Sequence, residues 1–75
     1  MHVLFIELQG DGAAERLREL QRELDARAEV THSELLAGAD QPGLYLLVCR
    51  GRTRPAFAPP PGARIWSFAP ATSSP

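Results

Sequence analysis

The chain has 75 residues, 44% apolar and 23% charged, with a formal net charge of −1: one ordinary globular domain, neither disordered nor membrane-spanning. So short a chain buries only about 60% of the surface its unfolded form exposes. A single cysteine excludes an intrachain disulfide, and His2, His32 and Cys49 lack the paired spacing of a structural zinc site, which leaves oligomerisation as the support for its core.

The first element is a strand, Val3–Leu8, apolar on both faces and ended by the turn Gly10-Asp11-Gly12. Asp11 or Gly12 is expected to cap a helix from Ala13 to about Ala28. There Ala13, Leu17, Leu20, Leu24 and Ala28 form one apolar stripe, while Glu15, Glu19 and Glu23 with Arg18, Arg22 and Arg27 make a solvent face. A more polar strand, Glu29–Leu36, follows. The loop Gly38–Gly43 then turns the chain into Leu44–Cys49, a second run apolar on both faces.

Pro55, Pro59, Pro60 and Pro61 forbid a regular helix between Gly51 and Gly62. Run extended at about 3.1 Å per residue, this connector reaches on the order of 37 Å, enough to climb back along the sheet and cross two strand positions. A last strand, Ala63–Ala69, completes one domain over residues 1–70, with 71–75 as a loose tail.

A right-handed β-α-β crossover leaves room for the third strand between the two it joins. The expected architecture is therefore α+β: a ferredoxin-like split βαβ of order β-α-β-β-β, with a four-stranded antiparallel sheet ordered 4-1-3-2. The two strands apolar on both faces fall in the centre, and Thr31–Glu34 suits an edge. Strands one and four pair with Val3 opposite Phe68, Phe5 opposite Trp66 and Glu7 opposite Arg64: an apolar pair, an aromatic pair and an ion pair.

Leu4, Ile6, Leu8 and Ile65 then face the helix. The other face is expected to carry Phe5, Trp66 and Phe68 with Tyr45 and Leu47, and one helix cannot cover it. A contiguous apolar patch of this kind marks an interface or ligand groove, and a second copy of the chain packed sheet to sheet would bury it.

The short first strand, its Gly-containing turn into an amphipathic helix, Ser33–Leu36 leading through Asp40–Gly43 to Leu44–Val48, and the aromatic closing strand resemble the small dimeric α+β barrels related to antibiotic biosynthesis monooxygenases. The resemblance covers residues 3–49 and 63–69. It implies a ferredoxin-like dimer and, in some members, oxygenase or haem-handling activity. The chain departs from it where members carry a second helix between strands three and four, the proline-rich stretch here, which puts the pocket of the larger barrels in doubt. One scaffold hosts unrelated chemistries.

Candidate chemistry is sparse. His32 could serve acid/base or haem-ligand work, against the plainer reading of an edge-strand surface residue. Glu7 with Arg64 could orient a polar ligand, and Phe5, Tyr45, Trp66 and Phe68 could stack on a small flat aromatic molecule; a cross-strand pair and interface aromatics are the plainer alternatives. Cys49, inside an apolar strand, reads as a small buried hydrophobe. No nucleophile triad, phosphate loop or carboxylate cluster stands out, and no cofactor or metal is expected.

All nine acids lie in residues 1–40 with four arginines, and the other four arginines lie in 41–75 with no acid. Arg50, Arg52 and Arg54 make a small basic patch, yet the chain lacks the broad basic stripe of nucleic-acid binders. The apolar start breaks at Glu7 with no basic leader, and one unpaired thiol suits a reducing compartment, so a cytoplasmic location without membrane contact is expected. The function expected is that of a homodimeric binding or assembly module without catalysis; the alternative is a cofactor-independent monooxygenase-like or haem-handling protein using the aromatic face.

Overall fold

The computed structural model describes residues 1–71; all but Ala71 of the expected tail lies outside the described residues. The elements are β1 (His2–Gln9), α1 (Ala13–Asp25), β2 (Val30–Ala37), β3 (Leu44–Gly51) and β4 (Arg64–Phe68). They form an α+β fold, a single four-stranded antiparallel sheet in the order β2-β3-β1-β4 with one helix. This is the order expected from the split βαβ unit. Segment 52–63 contains neither helix nor strand.

Gly12 is the cap of α1, at φ 78°, a left-handed conformation that glycine adopts without a Cβ penalty; no side chain caps the helix. Leu17 and Leu24 are fully buried and Leu20 nearly so, one stripe pressed on Leu4, Ile6, Leu8, Leu47 and Cys49. The helix stops at Asp25, three residues short of the expected end. The Arg27 amide turns back to the Leu24 carbonyl at 3.0 Å and the Val30 amide to the Arg27 carbonyl at 3.2 Å, a tight reversal that leaves Ala28 exposed.

The register of β1 against β4 is the expected one: Val3 opposite Phe68, Phe5 opposite Trp66, Glu7 opposite Arg64. In β3 the expected parity is wrong. Leu4 stands opposite Cys49, Ile6 opposite Leu47 and Leu8 opposite Tyr45, so Tyr45 and Leu47 face the helix, Leu47 fully buried and Tyr45 packed at the core margin. Leu46 and Val48 take their places on the open face. Every position from Leu44 to Cys49 is apolar, so hydrophobicity alone carries no alternation there. The usable signal was Arg50, whose charge belongs to the wet face and whose parity is that of Leu46 and Val48.

The helix packs over β2, β3 and, less, β1; among the described residues it makes no contact with β4. On that side the connector contributes Phe57 and Ala63, which pack with Ile65 on the core margin, and Pro55 is buried. β4 is thus an edge strand whose ladder partner among the described residues is β1 alone.

Candidate interface on the open sheet face

The register turns the face opposite the helix into a small lattice. Reading from the β2 edge to the β4 edge, one row is His32, Arg50, Val3, Phe68. The next is Glu34, Val48, Phe5, Trp66, and the third Leu36, Leu46, Glu7, Arg64. Polar and charged groups sit at His32 with Arg50 and at Glu7 with Arg64, and Glu34 lies on the β2 edge. The apolar residues converge between them.

Exposure on this face is graded. Val48, in the middle, is 5% exposed and Phe5 is half-buried, whereas on β4 Trp66 is 41% and Phe68 54% exposed. Phe5 and Phe68 meet edge to face, ring centroids 5.5 Å apart at 81°, a geometry aromatic pairs prefer. A shallow hollow of about 350 Å³ opens among Phe5, Glu7, Leu46, Trp66 and Phe68. A second, of about 420 Å³, lies among Val3, Phe5, Arg50 and Phe68.

Of the expected site residues, Phe5, Glu7, Arg64, Trp66 and Phe68 come together on β1 and β4. Tyr45 does not join them, being on the helix side. His32 is exposed on the open face, which a bulge between Val30 and His32 decides: strict alternation from Val30 would have turned it under the helix. The bulge is tied down by the Thr31 hydroxyl, which donates to the Arg50 carbonyl at 3.2 Å. His32 lies three strands from Phe68 in the same row, about 14 Å at ordinary strand spacing; it lines neither hollow, though its register partner Arg50 lines the second. Arg50 projects on the open face, and Arg52 and Arg54 are exposed in the loop beyond.

Three polar contacts escape sequence reasoning. The Gln21 amide donates to Ser33 Oγ at 3.0 Å and that hydroxyl donates to Asp25 Oδ1 at 2.6 Å, stitching α1 to β2. At the other end Ser67 Oγ and His2 Nε2 lie 2.6 Å apart across β4 and β1. No carboxylate partner is seen to orient this His2, and neither residue lines a described hollow, so the pair reads as a strand tie. Cys49 is buried beside Ser33, and desolvation, with the Asp25 carboxylate adding to it, pushes its thiol pKa up.

Among the described residues no group of three or more His, Cys, Asp or Glu could hold a metal ion. Nor does any buried polar side-chain atom there lack a partner, and no helix is long and apolar enough to cross a membrane. The chain matches no family model, no curated protein and no solved structure. None of these comparisons links the chain to the dimeric α+β barrels.

Proposed function

We propose that the chain is a homodimeric binding or assembly module, with no catalysis of its own, whose two copies join through the open sheet face. The observation that carries this reading is the run Val3, Phe5, Leu46, Trp66 and Phe68 on the face the helix leaves bare, with two large aromatic side chains 41% and 54% exposed on its outer strand. Scattered apolar residues are normal on a protein surface, but a contiguous aromatic patch is not. A 75-residue domain without disulfide support also gains from sharing that surface. Light scattering across the eluted peak tests it. A mass near twice 8.2 kDa is expected, and a clean 8.2 kDa species at micromolar concentration overturns it.

The hollow among Phe5, Glu7, Leu46, Trp66 and Phe68 favours one alternative, a small flat aromatic ligand held between the sheets. That reading is the monooxygenase-like or haem-handling one. It is weakened by His32, which does not line this hollow and lies about three strand spacings from Phe68. Titration with haemin or a quinol, followed by absorbance, tests it. A spectral change lost in Trp66→Ala supports a ligand, and a flat titration removes it.

A further inference from the structure

Glu7 and Arg64 are neighbours in the same row of the open face, on β1 and β4, and this pairing selects how two copies meet. Resting on the dimer reading above, the geometry points to a two-fold axis that runs parallel to the strands midway between β1 and β4, so that Glu7 of each copy faces the partner's Arg64 across the interface.

An axis so placed lays β1 over the partner's β4 and keeps each row at its own height. Val3 then meets the partner's Phe68, Phe5 the partner's Trp66 and Glu7 the partner's Arg64: every in-sheet pair is repeated across the gap. Sheets pack about 10 Å apart, a distance that an extended glutamate and an extended arginine close between them. Two other two-folds that keep the strands aligned do worse. An axis along the strands between β3 and β1 sets Glu34 on the partner's Trp66 and Leu36 on the partner's Arg64. An axis across the strands through the middle row stacks Glu34 on the partner's Glu34 and Glu7 on the partner's Val3. Burying unpaired charge against apolar surface costs more than the contact returns.

Exposure points the same way. β4 is the strand the helix does not reach, and Trp66 and Phe68 on it are the aromatics most in water, whereas Val48 towards the other side is already covered. His32 and Glu34, on β2, stay outside the contact, where their polarity belongs.

The test uses two full-length chains, Glu7→Arg and Arg64→Glu, each alone and mixed. Each alone sets like charges across the axis and is expected to run as a monomer. The equimolar mixture restores both pairs across the axis and is expected to yield a heterodimer, seen by native mass spectrometry. If wild type is itself monomeric, the dimer reading fails. If wild type dimerises but either reversed chain alone still does, or the mixture stays monomeric, this axis is wrong and the dimer reading survives. Should circular dichroism show either reversed chain unfolded, the neutral variants Glu7→Gln and Arg64→Gln decide. Each is expected to raise the dimer Kd by about tenfold or more, and an unchanged Kd overturns the proposal.

Discussion

Gly51 lies directly against the backbone of Glu29: a Cβ at this position would meet the Glu29 carbonyl oxygen, and Val30 Cα would be 3.2 Å away. The same carbonyl accepts the Arg52 amide at 2.8 Å, and Gly51 is the register partner of both His2 and Val30. This close approach is where the helix-to-β2 turn is locked to the end of the central strand.

Gly51→Ala is therefore expected to destabilise the domain by about 1–3 kcal/mol, since the added methyl meets backbone rather than a side chain that can swing away. Urea unfolding followed by circular dichroism checks it. The midpoint should fall with the slope unchanged, and an unchanged midpoint would show that the Glu29 turn moves freely.

Leu17 and Trp66 separate the two faces. Leu17 is fully buried in the monomer core, so Leu17→Ala is expected to cost about 2–5 kcal/mol, much of the stability of so small a domain. Trp66→Ala is expected to leave the helical signal intact while weakening self-association by about tenfold or more. Circular dichroism read beside sedimentation velocity distinguishes them, and Trp66→Ala with undiminished dimer would remove Trp66 from the contact.

Wild-type fluorescence offers a variant-free check. Trp66 is 41% exposed in the single chain and would be covered in the proposed dimer, so its emission is expected to shift to the red on dilution through the dimer Kd. An emission maximum constant over that range, in a protein shown by mass to dissociate, would place Trp66 outside the interface.

Ser33 accepts from Gln21 and donates to Asp25, at 3.0 and 2.6 Å. Ser33→Ala removes both links between α1 and β2. The bonds are partly exposed, so the expected loss is modest, about 0.5–1.5 kcal/mol. Hydrogen exchange gives the sharper readout: amides of the last turn of α1 should lose protection before those of β1.

Cys49 is 2% exposed, and burial first, then the Asp25 carboxylate, raises its thiol pKa above the ordinary cysteine range. A raised pKa means less thiolate at any given pH, and the thiolate is the nucleophile. A disulfide reagent at pH 8 is expected to react slowly with the native protein and quickly in urea. Fast native reaction would mean that β3 opens locally.

The architecture could be read from the residues because its signals are local and redundant. The leucine stripe of α1, the glycine turn before it and the prolines after β3 each name an element or forbid one. The register of β1 on β4 followed from matching complementary side chains, Phe5 to Trp66 and Glu7 to Arg64. The faces of β3 could not be read the same way, because Leu44 to Cys49 offer no polar residue to mark the wet side. Tyr45 and Leu47, expected on the open face, lie on the helix side instead. The end of α1 was also illegible, since Ala26, Arg27 and Ala28 all favour a helix and only the return to β2 cuts it short.

Sequence alone determined that this chain forms one helix and four strands in this order, and that its apolar residues exceed what one helix can shelter, because periodicity and proline act within a few residues. Tertiary structure decided which of those residues stay exposed. The bulge at Thr31 turns His32 out onto the open face, the β1–β3 register turns Tyr45 and Leu47 inward, and the reach of the helix stops before β4. These outcomes depend on how strands separated by twenty to sixty residues align, a quantity set by the whole packed sheet.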